Sequence, residues 1–154
     1  MSIIPNYVPS QYKTVNIMLT VRDADKALEF YNRAFGAEVV MCLRDPNTNT
    51  IVHAEFKIAD TIIMMAEENP EYNSSPDTLG GSPVVIHLFT GDVEALFEEA
   101  VKAGAEVIQP IKKQFYGDRN GVLKDPFGHR WIIATHMEDL TATQLQKRFN
   151  ELYP

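Results

Sequence analysis

Two residues in the segment IVHAEFKIAD, residues 51–60, have side chains that could do chemistry together. His53 and Glu55 lie two positions apart, so they share one face if the segment is a β-strand. An imidazole beside a carboxylate can supply half of a metal site, act as a general base or line a polar ligand pocket. A choice among these depends on which other side chains the surrounding elements bring to the same face.

The elements around this pair follow the order β-α-β-β-β over residues 14–67. Thr14 to Val21 is rich in β-branched residues and predicts a strand. Asp23 or Asp25 can cap the helix that follows, apolar residues recur in it at spacings of three and four, and Gly36 can end it. Three short apolar runs separated by turn residues then predict three strands.

The second half of the chain repeats this order. Residues 68–83 are rich in Pro, Gly, Ser and Asn and predict an exposed connection, after which residues 83–137 give a second β-α-β-β-β module with Asp92 as helix cap. The sequence GAEVV at residues 36–40 returns as GAEVI at residues 104–108. Residues 139–153 predict a C-terminal helix. We therefore expect an α+β fold in which residues 1–154 form a single domain of two modules.

Composition excludes several classes of protein. The 154 residues are 45% hydrophobic and carry a net charge of −7 without a basic cluster, which disfavours a nucleic-acid partner. The single cysteine, Cys42, allows no internal disulfide. No leader pattern and no apolar run of about 18 residues is present, so we expect a cytoplasmic protein with no membrane partner.

Three segments carry a resemblance to a known family. RDADKALEFYNRAFGAEVV, VHAEFKIADTIIMMAEE and QFYGDRNGVLKDPFGHRWIIATHMEDLT resemble the vicinal oxygen chelate superfamily and, within it, the PhnB-like branch. That superfamily includes glyoxalase I, extradiol dioxygenases, fosfomycin-inactivating enzymes and bleomycin-binding proteins. The resemblance implies two repeated βαβββ modules forming a concave mixed sheet, a ligand in the cup of that sheet, and a homodimer.

The resemblance also implies where a divalent metal would be held. The corresponding positions in this sequence are Asn16, Glu55, Val85 and Ile132. Asparagine is a poor ligand for a transition metal, and valine and isoleucine cannot coordinate one. The usual metal triad is therefore predicted to be lost, and with it the Lewis-acid chemistry of glyoxalase I or the dioxygenases.

Strand alternation predicts which other side chains would face the cup. These are Asn16 and Met18 on the first strand, His53 and Glu55 on the third, and His87 and His136 in the second module. Three readings stay open for the histidines: a metal cluster of His53, Glu55, His87 and His136, a polar set that lines a ligand, or a structural role. Arg119, in FYGDRNG, could clamp an anion or order a hairpin.

The sequence thus predicts a glyoxalase- and bleomycin-resistance-like protein that binds a small, partly apolar ligand, with no cofactor or an unknown divalent metal. The alternative is a metal-dependent lyase, isomerase or dioxygenase-like enzyme that uses Glu55 with nearby histidines. Whether the protein is an enzyme stays open. Glu55 is the best candidate for a catalytic residue.

Overall fold

The chain divides into two compact units, Met1–Leu79 and Gly80–Pro154. The computed structural model describes residues 7–154. Each unit contains one four-stranded mixed sheet with one long helix between its first and second strands. The predicted α+β class and the duplicated βαβββ order are confirmed, with each module forming a four-stranded sheet.

The elements of the first unit are β1 Ile17–Val21, α1 Ala24–Phe35, β2 Glu38–Arg44, β3 Ile51–Ile58, β4 Thr61–Glu67 and a four-residue helix α2, Pro76–Leu79. Its strands lie in the order β1-β4-β3-β2. Strand β1 is parallel to β4, and the other neighbours are antiparallel.

The elements of the second unit are β5 Val85–Phe89, α3 Val93–Ala103, β6 Glu106–Lys113, β7 Asp118–Lys124, β8 Arg130–His136 and α4 Ala142–Glu151. The strands have the same order as in the first unit, β5-β8-β7-β6, again with the first and last strands parallel. The unit ends in α4, the C-terminal helix that the sequence predicts. Within residues 7–154, no helix has both the length and the apolar character needed to cross a membrane.

Helix α1 is held to the last strand of its module at its N-terminus. Asp23 caps the helix by accepting a hydrogen bond from the Lys26 amide. The carboxylate of Glu67, at the end of β4, accepts from the amides of Asp23 at 2.8 Å and Ala24 at 2.6 Å. Free amides at a helix start need such acceptors, and a carboxylate is favoured there by the helix dipole.

Helix α3 is also held to the last strand of its module at its N-terminus, but by a hydroxyl group instead of a carboxylate. Asp92 accepts from the Ala95 amide, and the hydroxyl of Thr135 on β8 accepts from the Val93 amide at 3.0 Å. The same hydroxyl donates to the carbonyl of Thr90 at 2.8 Å. Each module therefore fixes its helix against its last strand, by a carboxylate in the first unit and by a hydroxyl in the second.

The helix-facing side of each sheet is buried. In the first unit the ring of Tyr31 on α1 stacks on Phe56 of β3, with centroids 4.8 Å apart. In the second unit Trp131 and Ile133 of β8 are fully buried. Since side chains alternate along a strand, the residues next to these buried ones point to the opposite, open face of their sheet.

The connection between the units is exposed over most of its length, as predicted, and its first part is held to the first unit by hydrogen bonds. Glu68 forms an ion pair with Arg22 at 3.0 Å and accepts from the buried Ser75 amide at 2.9 Å. Hydrogen bonds from Thr78 and from the Ser75 amide, together with the Arg22 guanidinium, lower the pKa of Glu68 to about 2.

Candidate ligand-binding site

A row of four side chains crosses the open face of the first sheet. Met18 of β1 is paired with Met64 of β4, Met64 with Glu55 of β3, and Glu55 with Met41 of β2. Paired residues of neighbouring strands present their side chains on the same face, within contact distance of each other. We call this set, Met18, Met64, Glu55 and Met41, the methionine row.

The methionine row combines an exposed apolar strip with one buried charge. The exposed fraction is 53% for Met18 and 40% for Met41, whereas it is 6% for Glu55. Methionine side chains are flexible and polarizable, so they adapt to the shape of an apolar partner. A buried carboxylate, by contrast, needs hydrogen-bond donors at fixed positions.

Glu55 obtains those donors from Tyr12 and His53. The Tyr12 hydroxyl donates a short hydrogen bond to Oε1 of Glu55, and Nε2 of His53 lies 3.2 Å from the same oxygen. This hydrogen bond, burial and the nearby negative charge raise the pKa of Tyr12 above its usual value of 10.0. The phenol therefore stays neutral near pH 7 and acts as a donor to the carboxylate.

A turn before β1 holds Tyr12 over the sheet. The Tyr12 amide donates to the Pro9 carbonyl at 3.0 Å. The side chain of Asn16 binds the backbone of Lys13. Its Oδ1 accepts from the Lys13 amide at 3.1 Å, and its Nδ2 donates to the Lys13 carbonyl at 2.6 Å. The Asn16 side chain is thus engaged with its own turn, beside the methionine row.

His136 in the second unit lies between two carboxylates. Its Nδ1 is 2.7 Å from Oδ1 of the buried Asp118, and its Nε2 is 2.7 Å from Oδ1 of Asp139. The hydrogen bonds to Asp118 and Asp139 raise the pKa of His136 above its usual value of 6.5. His87, on β5, stacks on Phe89 with ring centroids 4.5 Å apart.

Arg119 lies on the other face of the second sheet. Its neighbour Asp118 is paired with His136 on the open face, so Arg119 points toward α3, where it forms an ion pair with Glu94. The open face at this end of β7 carries Asn120 instead. The amide of Asn120 donates to the Tyr116 hydroxyl at 2.8 Å and its oxygen accepts from Gln114 at 3.0 Å.

The predicted site residues therefore fall into three groups. Met18, His53 and Glu55 come together on the open face of the first sheet, with Asn16 in the turn beside it. His87 and His136 belong to the second unit, and Arg119 is on the helix-facing side. Tyr12 joins the first group although the sequence did not indicate it, because no spacing or motif links it to a strand 43 residues away.

Two of the four positions at which the resembled family holds a metal, Asn16 and Glu55, have side chains with donor atoms, and both side chains are hydrogen-bonded within the first unit. Glu55 is bound by Tyr12 and His53, Asn16 is bound to the backbone of Lys13, and the side chains at the other two positions, Val85 and Ile132, have no donor atom. Over residues 7–154, no group of three or more His, Cys, Asp or Glu side chains is arranged to hold a metal ion.

Comparison with known proteins shows similarity to members of one superfamily. The model of the glyoxalase/bleomycin resistance protein/dioxygenase superfamily matches residues 13–133. An uncharacterized protein of Mycobacterium tuberculosis strain H37Rv is 36% identical over 132 residues, covering 83% of this chain and 77% of that protein.

Solved structures show the same architecture. TioX from Micromonospora sp. ML1 is 26% identical with a TM-score of 0.61, covering 84% of this chain and 100% of that one. A gene product of Arabidopsis thaliana is 28% identical with a TM-score of 0.65, covering 80% and 98%. A Bacillus cereus protein described as a putative 3-demethylubiquinone-9 3-methyltransferase, PhnB protein, is 17% identical with a TM-score of 0.62, covering 80% and 99%, a likeness that concerns the fold alone.

Proposed function

Because the chain belongs to the glyoxalase/bleomycin resistance protein/dioxygenase superfamily, we propose that it binds a small, partly apolar molecule on the open face of its first sheet. The observation that carries this proposal is the methionine row, in which exposed methionines flank a buried, hydrogen-bonded Glu55. Small-molecule sites typically combine apolar lining with a few fixed polar groups, which is the composition of this face.

Tyr12 and His53 both bind Oε1 of Glu55, and Oε2 has no hydrogen-bond partner among residues 7–154. We propose that Oε2 is the oxygen that a ligand contacts. A ligand would therefore place an amine, amide or hydroxyl donor on Oε2 and its apolar part along Met18 and Met41.

We further propose that the metal site usual for this superfamily has been lost. The replacement of ligands by Asn16, Val85 and Ile132 supports this, as does the use of Glu55 by Tyr12. Metal analysis of protein purified without a histidine tag tests the proposal. A stoichiometric divalent metal that disappears in Glu55→Gln would contradict it and would support the alternative of a metal-dependent enzyme.

That alternative, a lyase, isomerase or dioxygenase-like enzyme with Glu55 as the catalytic residue, has one supporting observation. His53 lies within 3.2 Å of Glu55 on the same face, so two ligands of suitable type are adjacent. His87 and His136 would have to complete the set, and His136 would have to give up Asp118 and Asp139. We therefore favour the ligand-binding function.

The binding proposal is tested by thermal shift with matched panels of small apolar amines, alcohols and carboxylic acids. We expect the amines and alcohols to raise Tm and the acids to have no effect, since acids are repelled by Glu55. Met41→Gln and Glu55→Gln should each weaken binding of a hit by about tenfold or more, the effect of losing roughly 1.4 kcal/mol of contact energy.

Val107→Gln is the matched control for Met41→Gln. Val107 lies on the edge strand of the second sheet and is 43% exposed, close to the exposure of Met41. The Val107→Gln variant should bind the hit with the affinity of the wild-type protein. Equal loss in both variants, or a panel in which only acids stabilise the protein, would overturn the proposed site.

We also propose that the protein is a homodimer, as the resemblance to this superfamily implies. Light scattering coupled to size-exclusion chromatography measures this directly. A molar mass near twice the chain mass of 17.4 kDa is expected.

A further inference from the structure

The carboxylate of Glu55 is buried without a lysine or arginine to balance its charge. The residue is 6% exposed, and no lysine or arginine nitrogen of residues 7–154 lies within ion-pair distance of its oxygens. Removing a charge from water is costly unless an opposite charge and hydrogen bonds replace the lost hydration. A ligand of positive charge would therefore gain more from Glu55 than a neutral ligand would.

Neither of the two donors to Glu55 supplies a permanent positive charge. The pKa of Tyr12 is raised above 10.0, so its phenol is neutral and donates one hydrogen bond to Oε1. The imidazole of His53 lies 3.2 Å from the same oxygen, and in its neutral form it also donates a single hydrogen bond there. Because both contacts are made to Oε1, Oε2 has no hydrogen-bond partner among residues 7–154.

The cationic side chain closest to Glu55 along β3 is Lys57, two residues further on the same face of the sheet. Two residues of a strand span about 6–7 Å, which is beyond ion-pair distance for the backbone positions. Lys57 lies opposite Glu38 of β2, and it forms no ion pair with Glu55. The open face of the first sheet therefore has a lysine near Glu55 that leaves its carboxylate unbalanced.

The side chains that flank Glu55 across the sheet cannot donate hydrogen bonds to a ligand or to the carboxylate. Met41 of β2 and Met64 of β4 are its directly paired neighbours, one on each side. A thioether sulfur has no hydrogen atom to donate and acts only as a weak acceptor. A ligand group at Oε2 is therefore flanked by acceptors, and a group with several N–H donors suits this position better than a single hydroxyl.

We propose that the ligand of the first sheet is a primary or secondary ammonium ion with an apolar tail, whose N–H groups bind Oε2 of Glu55. The inference rests on the ligand-binding function proposed above and names the class of molecule. Such an ammonium supplies a positive charge and two or three donors, whereas an alcohol supplies one donor and no charge. The apolar tail lies along Met18 and Met41, the two exposed methionines of the methionine row.

Three ligands that share one tail separate the effect of charge from the effect of the donors. At neutral pH n-hexylamine has a charge and N–H groups, hexyltrimethylammonium has a charge alone, and n-hexanol has a hydroxyl donor alone. We expect n-hexylamine to have the lowest Kd of the three, about tenfold or more below that of n-hexanol, because charge-assisted hydrogen bonds are the stronger kind. Two-dimensional NMR titration of the wild-type protein measures each Kd.

Glu55→Gln tests whether the charge of Glu55 causes this preference. The substitution keeps the size of the side chain and one oxygen acceptor, so the ratio of the Kd of n-hexanol to that of n-hexylamine should fall from about ten to about one. Glu29→Gln is the matched control, since it removes the same charge from an exposed position on α1 of the same unit. Its ratio should equal that of the wild-type protein.

A lysine at Met41 tests the position of the ammonium from within the chain. Met41 is 40% exposed and is paired with Glu55, so the ammonium of Met41→Lys would take the place of the ligand, and n-hexylamine should bind about tenfold or more weakly. Val39→Lys is the control, which adds the same charge to the same strand. Val39 is 52% exposed but is paired with Phe56, on the helix-facing side, and its variant should keep the wild-type Kd.

The outcomes separate the ammonium ligand from the proposed binding function. A preference for n-hexylamine that is lost in Glu55→Gln and kept in Glu29→Gln supports both. Equal affinity for the amine and the alcohol, or a preference that persists in Glu55→Gln, overturns the ammonium ligand and leaves the binding function standing. Absence of binding by all three ligands overturns both, and circular dichroism of each variant shows whether a change reflects unfolding.

Discussion

The two sheets share their strand order and their helix caps, yet their open faces have different chemistry. The methionine row of the first sheet contains a carboxylate, whereas the corresponding row of the second consists of His87, Ile132, Val122 and Gln109. The comparison teaches that the repeated order constrains the buried side of each sheet and the helix start. The open faces are unconstrained by that order and can acquire separate roles.

Two buried polar side chains of the second unit, Asp118 and Asn120, lie at the end of β7 nearest the C-terminal helix. Asp118 binds His136, and Asn120 binds Tyr116, next to the segment that leads into α4. That helix is held to the unit by a two-point ion pair between Arg148 and Glu138, with N–O distances of 2.6 and 2.9 Å. These polar groups of the second unit therefore lie beside the segment that attaches α4, whereas Tyr12 and His53 of the first unit both bind one carboxylate.

The largest expected difference in stability between the two units comes from the turn that joins the last two strands of each module. In the second unit the buried Asp125 accepts from the amides of Phe127 and His129 and from the Trp131 indole. Asp125→Ala leaves buried donors unsatisfied and should lower the free energy of unfolding by about 3 kcal/mol. Asp60→Ala, at the exposed turn of the first unit, should change it by no more than about 0.5 kcal/mol in urea denaturation.

Equal losses of unfolding free energy in Asp125→Ala and Asp60→Ala would mean that the two turns contribute alike to stability. That result would contradict the difference between the two units described here. Asp125→Asn provides a further control. It keeps an oxygen acceptor of nearly the same size, and it should recover part of the stability lost in Asp125→Ala.

The two tyrosines that bind buried polar side chains sharpen the comparison further. Tyr12 donates to a carboxylate and Tyr116 accepts from an amide, and charge-assisted hydrogen bonds are the stronger kind. Tyr12→Phe should therefore lower Tm by a few degrees, and by more than Tyr116→Phe does. In Glu55→Gln, spectrophotometric titration should show one tyrosine whose pKa has fallen toward its usual value; an unchanged titration curve would rule out the contact between Tyr12 and Glu55.

The smallest expected effect is a dependence of stability on pH that comes from His136. Because the pKa of His136 is raised in the folded state, its ion pairs stabilise fully below the usual value of 6.5, and this stability is lost as pH rises through the raised pKa. Tm should therefore decline as pH rises above 6.5, and His136→Asn should reduce that decline.

Much of the fold could be predicted because its signals are local. Asp23, Asp92 and the two GAEV segments mark helix starts and ends at matching places, and each strand is a short apolar run between turn residues. Alternation along β3 likewise predicted that His53 and Glu55 share a face. Their contact confirms that reading.

The rest of the candidate site depends on contacts between distant segments. Tyr12 reaches Glu55 from a turn before β1, and no periodicity marks a turn residue as the partner of a strand. From sequence, Arg119 is assigned to the segment FYGDRNG and not to a face of a strand, whereas β7 begins at Asp118 and includes Arg119. Exposure of an edge strand is equally invisible in sequence, because it depends on where a helix crosses the sheet.

The carboxylate of Glu67 has a consequence for how the first unit folds. It binds amides at the start of α1 from 44 and 43 residues further along the chain. A growing chain would therefore have made all of α1 before the acceptor for those amides existed. We expect the start of this helix to exchange its amide hydrogens freely in a chain truncated before β4 and to become protected only when residue 67 is included, so that the unit forms in one cooperative step.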